Sequence, residues 1–286
     1  MAINYDKLIN WQIPPVEMTL TKRDTILYAL GIGLGADPLD TDQLKFVYEE
    51  GLQALPTMSI ILGYPGAWFA HPDTGITRSH TVHGEQLFVI HKPLPVAGEI
   101  IGTNKIIRLI DKGEGRGAVL YTECTVRNKA TDEVLCTWTS SLFCRADGGF
   151  GGPPGSSMEQ HPIPEPAADA VCDLPTLPQA ALIYRLSGDY NPLHADPAWA
   201  KKAGFKAPIL HGRCTFGVAG HALVKTMCGY DPSKLKSMQG RFSSPVYPGE
   251  TIRTEMWRDG NIVSFRSTVP ARGVTVLNNG RAEIAG

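Results

Sequence analysis

The sequence predicts an α+β protein made of two repeats, each a helix followed by an antiparallel meander, the arrangement in which a sheet wraps one buried helix. Three observations carry this reading. Two short amphipathic patterns that end in glycine, 24–31 and 180–188, place Tyr28 and Tyr184 at an offset of 156 residues. Two Gly-Glu turns, Gly98-Glu99 and Gly249-Glu250, each open a long alternating strand and lie 151 residues apart. Between the halves the periodicity disappears, and Gly148, Gly149, Gly151, Gly152, Pro153, Pro154, Pro162, Pro164, Pro166 and Pro175 accumulate. Offsets this close indicate one unit used twice. The expected organisation is an N-terminal repeat over 1–147, a Gly/Pro-rich linker over 148–177 and a C-terminal repeat over 178–286.

In chain order, the first helix, 24–31, is followed after the turn at 96–100 by strands at 100–110, 117–127 and 133–144, with 111–117 as a hairpin turn. The linker suits a surface crossing between repeats, and its length equally suits an active-site loop. After the second short helix, 180–188, the stretch from Cys214 to Met227 places Phe216, Ala219, Leu223 and Met227 on a 3.6-residue period, with Gly229 as a cap. Strands at 251–258, 262–269 and 274–283 complete the second repeat, with 258–261 as the turn.

Composition removes several function classes. A 286-residue chain with 43% hydrophobic and 19% charged residues can bury a sizeable core. Its formal charge of −1 gives no basic field for a phosphate backbone, so nucleic acid is not an expected partner. The most apolar stretch, Leu55 to Ala70, is broken by Pro56, Gly63, Pro65 and Gly66 and falls short of a membrane span. The start of the chain lacks the apolar run of a signal peptide and its end carries no peroxisomal address, so a cytoplasmic location is expected. The six cysteines include no C-x-x-C pair, so reduced, mostly buried thiols are expected.

The chemistry concentrates between Tyr184 and Gly212. Asp189 and His194 are five residues apart, which on a continuous helix would turn their side chains about 140° away from each other. Gly188 and Asn191-Pro192 instead impose a turn, which lets both side chains fold toward one point. A carboxylate and an imidazole so placed can hold one water, as adding water to a double bond requires. Taken alone, Asp189 could equally be a turn cap and His194 a satisfied interior histidine. The continuation Leu210-His211-Gly212 lies just before the buried helix, where the Gly212 N–H can serve a carbonyl oxygen as an oxyanion hole with the helix dipole behind it.

These residues, with His83-Gly84-Glu85-Gln86, Lys92-Pro93-Leu94-Pro95, Asp111-Lys112-Gly113 and the run Arg241 to Gly249, resemble the (R)-specific enoyl-CoA hydratases of the MaoC-like family over nearly the whole chain. The resemblance is greatest to the hydratase part of the peroxisomal multifunctional β-oxidation enzyme. It implies a double hot-dog fold, each half a sheet around a long helix, and reversible hydration of a (2E)-enoyl-CoA to a (3R)-3-hydroxyacyl-CoA. It further implies Asp189 and His194 as the catalytic pair, Asn191 as a holder of the water and Gly212 as donor to the thioester oxygen. His83, Gly84, Lys112, Tyr190, Pro192, Leu193 and Phe242 would line the acyl-CoA site. A homodimer is implied, with acyl-CoA as substrate and no cofactor. The absent dehydrogenase and sterol-carrier regions suggest a free-standing enzyme.

The offset of 156 puts Gly33 opposite Asp189 and Pro38 opposite His194, so the first repeat should lack the pair and form pocket walls for the acyl chain. Other constellations are weaker. Gly31, Gly33 and Gly35 follow a helix instead of a strand, so they do not make a dinucleotide loop. His71, His80, His83 and His91 lack the carboxylate spacing of a metal site. Ser187 and Cys214 lack the surroundings of a nucleophile. A hot-dog thioesterase and a non-catalytic acyl-CoA binder are the competing functional readings.

Overall fold

The computed structural model describes every residue except Met1, Pro154, Ser156 and Met158; Pro154 of the expected linker therefore lies outside the described residues. Helix α1 (Tyr5–Ile9) and strand β1 (Val16–Leu20) lead into α2 (Lys22–Gly31), which opens on a capping box between Thr21 and Asp24. After α3 (Leu44–Val47) come strands β2 (Thr81–Ile90), β3 (Gly98–Asp111), β4 (Ala118–Asn128) and β5 (Val134–Cys144). The second half contains β6 (Ala170–Pro175), α4 (Ala180–Tyr184), α5 (Pro197–Lys202), α6 (Gly212–Cys228), β7 (Leu235–Phe242), β8 (Thr251–Asp259), β9 (Ile262–Val269) and β10 (Val274–Ile284).

All ten strands form one sheet in the order β1-β3-β4-β5-β2-β7-β10-β9-β8-β6. Read inward from either edge, the succession is the same, because β1 to β5 of one half correspond to β6 to β10 of the other. The antiparallel pairing of β2 with β7 joins them at the centre. This is the double hot-dog architecture. One apolar core runs through both halves, from Tyr28, Phe46 and Trp138 to Phe216 and Phe265, so neither half closes its core alone.

Three expectations are corrected. First, the linker does not run to 177: β6 lies inside it and pairs with β8, as β1 pairs with β3. Its alternation is too short, and too close to prolines, to stand out in the sequence. The rest of the segment is fixed at several described residues to the sheet, away from the Asp189–His194 loop. Asp111 anchors its start through the N–H groups of Gly149 and Gly151, His161 reaches Ser264, and Trp257 Nε1 donates to the Pro166 carbonyl.

Second, the first half has no long central helix. At an offset of 156 from the start of α6 lies only a 3-10 turn, Pro56–Ile61, wholly buried. It cannot extend because Gly63 (φ +65°) turns the chain where its backbone touches that of Gly102, and Pro65 follows. α6, by contrast, is a 17-residue helix capped by Gly229 at φ +60°. Its Gly217 lets Ile32 approach, and its Gly220 packs directly on Thr57.

Third, the pattern 180–188 divides into α4 and a 3-10 turn at Arg185–Ser187, ended by Gly188 at φ +110°. All six cysteines are free and buried. No helix among the described residues is long and apolar enough to cross a membrane.

Candidate active site

Gly188 reverses the chain at the end of the 3-10 turn, and two nested polar turns then build the loop. Asp189 Oδ1 accepts the Asn191 N–H (3.2 Å), and Asn191 Oδ1 accepts the Leu193 N–H (3.1 Å) at the start of a second 3-10 turn, Pro192–His194. Asp189 is thus a turn cap and also a member of the site. His194 is buried, and its Nδ1–H donates to the Ile209 carbonyl at 2.8 Å. A carbonyl cannot donate, so that nitrogen carries the proton and Nε2 is left as a free base.

The loop is clamped from the start of α6. His211 Nε2 donates to the Asp189 carbonyl (3.0 Å), and its ring stacks on His194 with centroids 3.7 Å apart. Asp189, His194 and His211 each offer an atom within 4.8 Å of the others. Two hydrogen bonds of about 2.8 Å meeting at one water span roughly 4.5 Å, so a carboxylate oxygen and an imidazole nitrogen at this separation can share a water. The same three residues are the set that could hold a metal ion. Nδ1 of His194 and Nε2 of His211 are engaged with backbone carbonyls, which leaves one further nitrogen on each ring.

Burial raises the Asp189 carboxyl, but His211, His194, Arg213 and the Asn191 N–H outweigh it and hold its pKa below the usual carboxylate value. His194 is lowered by burial, against the opposing pull of Asp189. His211 falls to about 3 through burial and then through His194. Near neutrality the loop therefore presents a carboxylate beside a neutral imidazole, both ready to accept a proton.

Gly212 is the first residue of α6, so its N–H has no partner within the helix and faces out of the positive end of the dipole. A side chain there would meet Phe242 at 3.4 Å and His83 Nδ1 at 3.5 Å. Phe242 closes β7, and its ring lies 4.5 Å from that of His83. His83 reaches this face because β2 bulges: His83 pairs with Leu142 but Glu85 with Ser141, leaving Gly84 as the extra residue. A Cβ at Gly84 would meet the Ser141 hydroxyl at 2.7 Å, so that hydroxyl would have to turn away. His83 is lowered to about 3 by burial and then by the Arg213 charge.

The remaining expected residues form a looser rim. Tyr190 is 60% exposed and packs under the Arg185 guanidinium, and Pro192 and Leu193 are half-buried. Lys112 follows β3 at the end of the sheet where Asp111, Ala118, Cys144 and Thr81 align, the end at which β2 carries His83. Three strand spacings, roughly 14 Å, separate that edge from β2. Sequence reasoning missed His211 as a clamp, although it stands in the Leu210-His211-Gly212 motif, and it missed Arg213 and Tyr64. An arginine inside an otherwise apolar helix was the available signal. A cleft of about 530 Å³ lies under the crossing segment beside Trp257 and Arg266, on the outer face and away from this loop.

A double hot-dog whose one long helix aims a free N–H beside a carboxylate and a neutral imidazole defines a hydratase of the MaoC-like class. Residues 159–279 match the MaoC like domain, and residues 18–146 match the MFE-2 hydratase 2 N-terminal domain. The chain is 40% identical to the peroxisomal enoyl-CoA hydratase 2 of Arabidopsis thaliana over 96% of its own length and 93% of the relative's. A MaoC-like dehydratase structure from Phytophthora capsici superposes with a TM-score of 0.86 at 35% identity over 99% of both chains. The peroxisomal multifunctional enzyme type 2 of Drosophila melanogaster gives a TM-score of 0.82 at 32% identity, covering 95% of this chain and 48% of that one. The chain belongs to the enoyl-CoA hydratase 2 family of MaoC-like proteins.

Proposed function

We propose that this enzyme catalyses reversible syn hydration of (2E)-enoyl-CoA to (3R)-3-hydroxyacyl-CoA in β-oxidation or a related acyl-CoA pathway. The observation that carries the reading is the Asp189–His194 pair with His194 held as a free base, set beside the unpartnered Gly212 N–H. The pair holds one water, with the Asn191 side chain beside it. As the water oxygen bonds to C3, the pair takes up a proton, and it returns a proton to C2, so the enzyme ends unchanged. Charge developing on the thioester oxygen is met by the Gly212 N–H. Because one loop carries both groups, both additions occur on the same face. The (3R) outcome follows from family membership.

In this reading His83, Gly84 and Phe242 form the wall against the thioester, Tyr190, Pro192 and Leu193 the rim, and Lys112 a phosphate contact on CoA. The first half receives the acyl chain where its central helix is missing. No resident cofactor is required. A cytoplasmic location and a homodimeric state are separate proposals, which cell fractionation and sedimentation test. Exposed Leu182, Leu186 and Trp199 are apolar surface for a second copy to cover.

Incubation with crotonyl-CoA tests the function directly. Enoyl absorbance should fall without thiol release, in chelator as in its absence. Thiol release would mean a thioesterase, and no change in either signal a binder. In D₂O, a (3S) product or anti placement of deuterium would overturn the stereochemical part.

A further inference from the structure

One charged side chain enters the core at the junction of the two halves. Arg213, the second residue of α6, is 6% exposed. Its guanidinium carbon lies 3.8 Å from the centroid of Tyr64 and 5.1 Å from that of Trp138. Both rings belong to the first half, so Arg213 is where the catalytic helix reaches into that half. Its Nη1 is buried without a hydrogen-bond partner, and no described carboxylate forms an ion pair with it. The carbonyls of Leu62 and Gly63, just before Tyr64 in the chain, accept from Trp138 Nε1 and Asn104 Nδ2.

A guanidinium keeps its charge in a protein, and burying it unpaired costs more than two ring contacts return. Buried donors in native structures have partners, so the orphaned Nη1 is free to take one from a bound molecule. The neighbouring residue, Gly212, is the donor assigned to the thioester oxygen, so on that reading an acyl chain entering the first half would pass Arg213, which lies over Tyr64 and Trp138. We propose that Arg213 is a specificity residue that pairs with a carboxylate on the acyl chain, making the preferred substrate a carboxyl-bearing 2-enoyl-CoA instead of a plain fatty one. This rests on the enoyl-CoA reading above. Arg suits the role because its planar fork meets a carboxylate through two parallel hydrogen bonds.

The test compares two 2-enoyl-CoA thioesters of equal chain length, one ending in a methyl group and one in a carboxylate. Wild type, Arg213→Leu and Arg213→Lys are assayed for kcat/KM, and calorimetry measures binding of the matching saturated thioesters without turnover. Wild type should prefer the carboxylate. Arg213→Leu should lose on the order of 30-fold more on it than on the methyl-ended substrate, and Arg213→Lys should recover part of that difference. A wild-type preference for the methyl end, or equal changes on both substrates, would overturn the proposal. If neither thioester is hydrated, the enoyl-CoA reading fails and binding decides separately. A carboxylate preference lost in Arg213→Leu then sustains the role of Arg213, and indifferent binding ends it. Should Arg213→Leu not fold, the Lys variant carries the comparison, with a loss confined to the carboxylate-ended ligand supporting the pairing and a loss shared by both refuting it.

Discussion

The two halves place equivalent elements at the same offset and put them to different use. α2 ends at Gly31 and the α4 turn at Ser187, 156 residues apart, and Tyr28 meets Tyr184 across the junction with centroids at 6.0 Å. Beyond that point one half has the Asp189–His194 loop and a 17-residue helix, and the other has Gly33, Pro38 and a six-residue 3-10 turn. The difference teaches that the sheet and the short helices are the frame the two halves share, while the Asp189–His194 loop and the long helix belong to the second half alone. On the function proposed above, a long helix in both halves would fill the space meant for the acyl chain, and a catalytic loop in both would need a second helix N-terminus to serve it.

The largest effect should come from removing the pair. Asp189→Asn and His194→Gln should each lower kcat by about 10²-fold or more with little change in Tm, while Pro38→Ala, at the equivalent place in the first half, leaves kcat unaltered. Steady-state kinetics beside thermal melts decide it, and a loop mutant with more than half its activity would break the asymmetry.

Next comes the helix N-terminus. Proline is tolerated at a first helical position, so Gly212→Pro removes the N–H while keeping α6, and should cost about 10²-fold in kcat. Gly212→Ala retains the N–H and meets Phe242 only at contact distance, so it should lose less than about tenfold. Equal losses would show that crowding, and not the missing donor, is responsible.

A smaller effect sharpens the role of the first half. Ser59 is the smallest side chain on the buried Pro56–Ile61 turn, and its Oγ has no partner. Ser59→Leu should shift preference from long to short enoyl chains by about tenfold, with activity on crotonyl-CoA kept, since one extra buried methylene group changes discrimination by about 10-fold or more. Proportional loss on both substrates would mean damage to folding.

The smallest effect is on acid stability. His194 is lowered from 6.5, and His83, His211 and His221 are lowered to about 3, 3 and 4, burial being the leading cause in each. Below about pH 6.5 the unfolded chain binds protons that the folded one refuses, so stability falls as pH drops through that range and is flat above about 7. Each histidine contributes at most about 1.4 kcal/mol per pH unit. Three of the four lie in the second half, so replacing His221 with an apolar residue should flatten the Tm–pH curve. A Tm that rises on acidification would contradict the burial argument. Because burial holds His194 below its ordinary value, the hydration rate should hold through pH 6.5 and fall only at lower pH, as His194 gains a proton.

Much of this was legible in the chain alone. Strands β3 to β5 and β8 to β10 alternate over long runs and are bounded by glycine turns, and Gly188, Asn191 and Pro192 announce a loop that can bring Asp189 to His194. β1, β6 and the 3-10 turn at Pro56–Ile61 were not legible. Their short patterns acquire meaning only from the partner strand or helix they pack on. The same holds for Gly84, whose bulge turns His83 inward, and for His211, which is a clamp only because α6 begins beneath the catalytic loop. Local sequence determined which segments could turn, extend or coil, because φ/ψ preference and periodicity act over a few residues. Tertiary structure decided which of them meet, since the β2–β7 pairing and the shared core bring Arg213 of one half against Tyr64 and Trp138 of the other, a proximity that no spacing along the chain encodes.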